Sequence, residues 1–190
     1  MFADLLDLEH PLYWTVDRVL DPAECAALVA RIDAAGPELA SINLPGGPKI
    51  DTGTRNNDRV ILDDPALASL LFERVRGHVP ATMKGMTAVG ANERLRCYRY
   101  RPGQRFGPHY DGSFHRSDHE RSLLTFMVYL NEGFTGGETA FLDLGVAIAP
   151  RPGLALLFQH PVLHEGCEVT AGIKYAVRSD VMYRADGAPG

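Results

Sequence analysis

From Asn92 onward the chain breaks into short runs of β-forming residues, each closed by Gly, Pro or Asn, and this punctuation limits the fold more than any other feature. The runs are Arg94 to Tyr100, Ser122 to Leu130, Thr139 to Leu142, Gly145 to Ala149, Leu154 to Phe158, Glu165 to Thr170 and Tyr175 to Tyr183. So many short strands predict a sandwich or barrel. The first half reads differently. Asp21-Pro22-Ala23-Glu24 combines an acidic N-cap, proline at the first helical position and Glu at the third, which predicts a helix to about Gly36. Asp64-Pro65 repeats the signal, and Ala66 to Arg76 should be helical up to Gly77. Between the helices, Ser41 to Asp58 is rich in Gly, Pro, Asn and Asp and predicts a long irregular stretch of the kind that forms lids. The expectation is a mainly β chain with flanking helices. It forms one domain over 1–190, with a helical N-terminal part to about 90 and a β-barrel core over about 91–184.

Composition narrows the function classes. At 190 residues and 45% hydrophobic content the chain can bury one sizeable core, so one active site is expected. A net charge of -5 shows no basic excess for a nucleic-acid backbone. The first residues carry Asp4, Asp7 and Glu9 in place of a basic start, and no segment reaches the roughly 20 apolar residues that cross a bilayer. Neither membrane nor nucleic acid is an expected partner. Cys25, Cys97 and Cys167 are widely spaced and include no Cys-x-x-Cys, which predicts reduced, buried thiols in a cytoplasmic protein, with a lone reactive thiol as the rival reading.

His109-Tyr110-Asp111 sets an imidazole and a carboxylate two residues apart, and in an extended segment that spacing points both to one face. A third metal ligand would come from a distant strand. His164, in Leu163-His164-Glu165-Gly166, stands immediately before a predicted one. Two histidines and one carboxylate form the facial triad of non-haem Fe(II) oxygenases, which leaves positions for a bidentate 2-oxo acid and O2. His160, four residues before His164, competes for the second imidazole position. A lone His-x-Asp is usually a surface pair or a turn, so its neighbours decide its meaning.

Those neighbours form Tyr100-Arg101-Pro102-Gly103-Gln104-Arg105-Phe106-Gly107-Pro108-His109-Tyr110-Asp111, which closely resembles the stretch before the iron ligands in prolyl 4-hydroxylase-like 2-oxoglutarate dioxygenases. The resemblance continues through Thr125-Phe126-Met127-Val128-Tyr129-Leu130-Asn131, Gly136-Gly137-Glu138-Thr139-Ala140-Phe141, His164-Glu165-Gly166 and Gly172-Ile173-Lys174-Tyr175. It covers about Arg94 to Tyr183. It implies a double-stranded β-helix, the jelly-roll or cupin-like barrel, supported by N-terminal helices. It also implies Fe(2+), 2-oxoglutarate and O2, with ascorbate as reductant, and His109, Asp111 and His164 as catalytic metal ligands.

In this family a basic residue about ten positions after the second histidine binds the distal carboxylate of 2-oxoglutarate, and Lys174 stands there; this spacing favours His164 over His160. Arg178 shares the strand parity of Lys174 and is the rival anchor, with an internal ion pair to Asp180 or Glu138 as its plain reading. Tyr100 and Tyr129 occupy positions where relatives place phenols that hydrogen-bond the cosubstrate, and Tyr98 is a weaker candidate. Gly103, Gly136 and Gly137 read as turn requirements. His10 and His78 have no supporting context.

The implied reaction hydroxylates an unactivated C–H bond while 2-oxoglutarate is decarboxylated to succinate and CO2, and retention of Asp111 favours hydroxylation over halide transfer. Substrate contacts come from loops. Ser41 to Arg59, with Asp51, Arg55, Asn56, Asn57 and Arg59, and Gly112 to Arg121, with His115, Arg116, Asp118 and Arg121, are suited to a peptide or to a small polar or carboxylated molecule. A prolyl residue in a peptide or protein leads by analogy, beside a free amino acid or small metabolite. A catalytically silent metal-binding or sensing module on the same fold is the alternative from another class. A metal-binding cupin-type protein that takes no 2-oxoglutarate is a third.

Overall fold

The computed structural model describes residues 5–44 and 47–185. Strand β1 (Tyr13–Val16) precedes helix α1 (Pro22–Ala34), where both halves of the capping box form: Asp21 accepts from the Glu24 N–H at 2.8 Å and Glu24 from the Asp21 N–H at 2.9 Å. Strand β2 (Asp58–Asp63) leads into α2 (Pro65–Val75), capped by Asp64 on the Leu67 N–H. Then follow β3 (Met86–Ala91), β4 (Arg94–Tyr100), β5 (Phe106–His109), β6 (Glu120–Tyr129), β7 (Thr139–Phe141), β8 (Val146–Ile148), β9 (Ala155–Gln159), β10 (His164–Gly166) and β11 (Lys174–Ala185).

The pairing is antiparallel throughout. The large sheet runs β1-β9-β6-β11-β4-β2, with β3 on the far end of β11, and the small sheet runs β8-β7-β10-β5. Strand alternation gives the large sheet two distinct faces. Leu95, Cys97, Phe126, Val128, Leu157 and Val177 pack against Leu28, Ile32, Leu71 and Phe72 of the helices. Their neighbours Met127, Tyr129, Leu156, Phe158 and Ala176 turn the other way and meet Phe141 of the small sheet. Two facing antiparallel sheets with helices behind the larger one match the expected double-stranded β-helix. They do not close into a barrel: among the described residues no ladder joins them, and the small-sheet strands are three or four residues long.

Three expectations change. The N-terminal half also supplies β1, β2 and β3 to the large sheet, because short or Gly- and Asp-flanked runs such as Met86–Ala91 carry little strand signal. Ser41 to Asp58 contains a hairpin, Ile42–Leu44 with Gly47–Lys49, and ends at the start of β2. Glu165 to Thr170 is two strands, β10 and Val169–Ala171, because each pairs with a different partner, Thr139–Phe141 and Thr135–Gly136. Among the described residues no helix is long and apolar enough to cross a membrane. All three cysteines are free; Cys25 and Cys97 are buried, and burial pushes Cys97 up to about 12.

Candidate metal centre

Strands β5 and β10 lie side by side with His109 directly opposite His164, which brings their rings to 4.2 Å between centroids. Asp111 follows two residues after β5 and is tied to the chain by its N–H, which donates to the His160 carbonyl at 3.2 Å. Each histidine contacts the carbonyl two residues upstream through Nδ1: His109 meets Gly107 at 2.8 Å and His164 meets Val162 at 2.9 Å. A carbonyl only accepts, so Nδ1 carries the proton and the Nε2 lone pair is free in both rings. Both Nε2 atoms face the Asp111 carboxylate, at 3.8 Å from His109 and 3.6 Å from His164. One donor atom from each of the three residues falls within 4.8 Å of the other two.

The electrostatics keep these donors in metal-binding form. Burial, reinforced by the neighbouring His164, lowers His109 to about 4, and burial also lowers His164. Both are neutral at pH 7. Burial alone would raise Asp111, but the Arg178 guanidinium outweighs it and holds the carboxyl well below the usual range. Arg178 lies 3.1 Å from Asp111 Oδ2, and the Thr125 hydroxyl donates to the same oxygen at 2.6 Å. Two nitrogen donors and an ionised carboxylate fit a divalent iron with open positions.

Beside the triad, a pocket between the sheets is lined by Tyr98, Tyr100, Thr139, Lys174 and Arg178 together with the three clustered residues. Lys174 is 2% exposed, donates to the Gly137 carbonyl at 2.6 Å and lies over the Tyr100 and Tyr129 rings at 5.0 and 5.3 Å. No carboxylate pairs with it among the described residues, and burial lowers it to about 8. Arg178 is committed elsewhere, to Asp111 and to Asp180 at 3.0 Å, and not to Glu138. Tyr129 uses its hydroxyl on Thr139 at 2.7 Å and stands behind the pocket wall, whereas Tyr98, the weaker candidate, lines it. Burial favours a neutral Tyr98 phenol, yet Arg178 and Arg55 outweigh this and lower it.

His160 is not in the cluster: its ring is held by Ser122 at 2.8 Å and Thr125 at 3.0 Å, so it braces the hydroxyl that binds Asp111. His115 and His119 are exposed, and His10 sits 3.3 Å from Asp7. Sequence reasoning gave no role to Thr125 or to Phe106, which stacks on His109 at 3.6 Å, and it named Arg55 among the loop contacts but not as the buried cation that covers Phe106 at 4.3 Å. Phe106 and Thr125 lie within the quoted resemblance and were legible there, but nothing in a polar loop distinguishes Arg55 as buried.

Two facing antiparallel sheets, with two histidines on neighbouring short strands and a carboxylate just beyond one of them, form a candidate mononuclear metal site on a double-stranded β-helix. Residues 95–179 match the 2OG-Fe(II) oxygenase superfamily. The chain is 29% identical over 127 residues to prolyl 4-hydroxylase subunit alpha-2 of Gallus gallus, a match that covers 60% of this chain and 22% of that one. It spans 22% to 42% of the length of the first curated relatives it matches. Its fold resembles the viral collagen prolyl hydroxylase of Paramecium Bursaria Chlorella virus-1, solved with 2-oxoglutarate, with a TM-score of 0.68 and 24% identity over 92% of this chain and 97% of that one. It also resembles a prolyl hydroxylase of Trichoplax adhaerens, solved with a hypoxia inducible factor peptide fragment, with a TM-score of 0.69 and 17% identity over 92% and 84% of the chains. Over residues 95–179 the chain is similar to the 2OG-Fe(II) oxygenase superfamily, and in sequence and fold it resembles prolyl 4-hydroxylases.

Proposed function

We propose that the chain is an Fe(II)- and 2-oxoglutarate-dependent hydroxylase, with iron held by His109, Asp111 and His164 and the distal carboxylate of 2-oxoglutarate held by Lys174. The observation that carries this reading is a buried ammonium with no carboxylate partner among the described residues, in the pocket that also exposes the three donor groups. When bound, iron and 2-oxoglutarate supply O2 activation coupled to decarboxylation, which yields succinate and CO2. The chain's own residues orient and exclude. Thr125 and Arg178 fix the Asp111 carboxylate, the two backbone carbonyls fix the histidine tautomers, and Phe106 shields one face of His109 from water. Lys174 and the Tyr100 phenol orient the cosubstrate, with Tyr129 positioning Lys174 through its ring and Arg178 supporting the metal carboxylate.

The substrate reading follows the relatives: a prolyl residue in a peptide or protein, or a free amino acid or small metabolite. Ascorbate is the proposed reductant, and the three free cysteines support a cytoplasmic setting. The test is succinate formation by purified protein with Fe(II), 2-oxoglutarate, ascorbate and O2, with and without proline-containing peptides and amino acids. Iron-dependent succinate that rises with one pool is expected. Bound iron with no succinate under any condition would favour the silent metal-binding module.

A further inference from the structure

The cleft outside the metal centre holds more positive charge than the fold neutralises. Its volume is about 570 Å³, and its wall carries Arg55, Arg59, Arg96 and Arg178 against a single carboxylate, Asp111. Two of the arginines are matched internally: Arg178 by Asp111 and Asp180, and Arg96 by Asp180 at 3.0 Å. The other two meet no carboxylate among the described residues. Arg55 is 4% exposed, donates through Nε to Asn57 at 2.7 Å, and lies over the Tyr98 and Phe106 rings at 4.8 and 4.3 Å. Its Nη2 is buried with no partner. Among the described residues the Arg59 guanidinium donates only to the Ser41 hydroxyl, at 3.1 Å. Burial, and then the nearby Arg55, lower the Arg59 pKa, as expected of two cations that await an anion.

A buried guanidinium with neither counter-ion nor full hydrogen bonding is costly, and the planar fork suits a carboxylate. Because His109 and Asp111 line the same cleft, a group held by Arg55 and Arg59 belongs to the molecule presented to the metal. We infer that Arg55 and Arg59 form a carboxylate-binding subsite, and that the substrate of this chain is an anion whose carboxylate is held there while its reacting C–H bond faces the triad. The inference rests on the proposed hydroxylase reading for the C–H bond, but the subsite can be measured by binding alone.

Calorimetry on the full chain under anaerobic conditions, with and without Fe(II) and saturating 2-oxoglutarate, would compare N-acetyl-L-proline with its neutral carboxamide. A second pair would be doubly blocked proline peptides carrying Glu or Gln beside the proline. At least one acid should bind about 10- to 100-fold more tightly than its neutral counterpart. Arg55→Gln and Arg59→Gln should each shrink that preference toward unity. The winning pair shows whether the carboxylate belongs to a free acid or to an acidic residue in a peptide. Arg59 is only half-buried, so Arg59→Gln remains informative if loss of Arg55 disturbs the Tyr98 and Phe106 packing. Equal binding of acid and neutral forms, no binding of either acid, or a preference that survives both substitutions overturns the inference. A carboxylate preference without 2-oxoglutarate turnover would instead count against the hydroxylase reading alone.

Discussion

Asp111 accepts from a hydroxyl, pairs with a guanidinium and faces two imidazole nitrogens, so its carboxylate organises the whole centre. Asp111→Ala should abolish iron-dependent succinate formation, and a folded variant that keeps substantial activity would remove the triad from the account. In the proposed reading Lys174 holds the cosubstrate and not the metal. Lys174→Met should raise the apparent KM for 2-oxoglutarate by about 10- to 100-fold, the worth of one charged hydrogen bond, and leave iron affinity largely intact. Because burial lowers Lys174 to about 8, its ammonium is lost as pH rises past that value. Affinity for 2-oxoglutarate should therefore fall on the alkaline side of pH 8 in the wild type, a dependence that Lys174→Met should lack; equilibrium binding across pH reads this directly.

The centre exists because short strands place single residues. β5 and β10 pair so that His109 and His164 are opposite, and β11 presents Lys174 and Arg178 on the face turned away from the helices. Gly136 sits at φ +76°, and a Cβ there would lie 2.2 Å from the Glu168 carbonyl oxygen. Gly136→Ala should cost about 1–3 kcal/mol and lower Tm by several degrees in a thermal melt. The sequence made the helices legible because caps are local chemistry: Asp21 with Glu24, and Asp64 with Pro65. Strand β4 was read with its observed ends, Arg94–Tyr100. Strands β1, β2 and β3 were missed because their pairing with β9, β4 and β11 is decided at long range. At the site, the pattern around His109 and Lys174 was readable through resemblance. The commitment of Arg178 to Asp111 and the withdrawal of Tyr129 behind Thr139 depend on packing that a sequence does not display.

Across the whole molecule, burial of neutral histidines ties stability to pH. His109 and His160 are both lowered to about 4 by burial, against an unfolded value of 6.5. Between those values the unfolded chain binds more protons than the folded one, so acid favours unfolding. The Tm of metal-free protein should fall from about pH 6.5 to about pH 4, and His160→Gln should make the slope over that range shallower. Anaerobic dialysis separates the metal triad from the cosubstrate cation. Wild type, Asp111→Ala and Lys174→Met would be equilibrated with Fe(II) and 2-oxoglutarate, and both would be counted per chain. Wild type should retain both, Asp111→Ala should lose the iron, and Lys174→Met should keep iron but release 2-oxoglutarate. A folded Asp111→Ala protein that retains both, or a Lys174→Met protein that holds 2-oxoglutarate as tightly as wild type, would contradict the proposed reading.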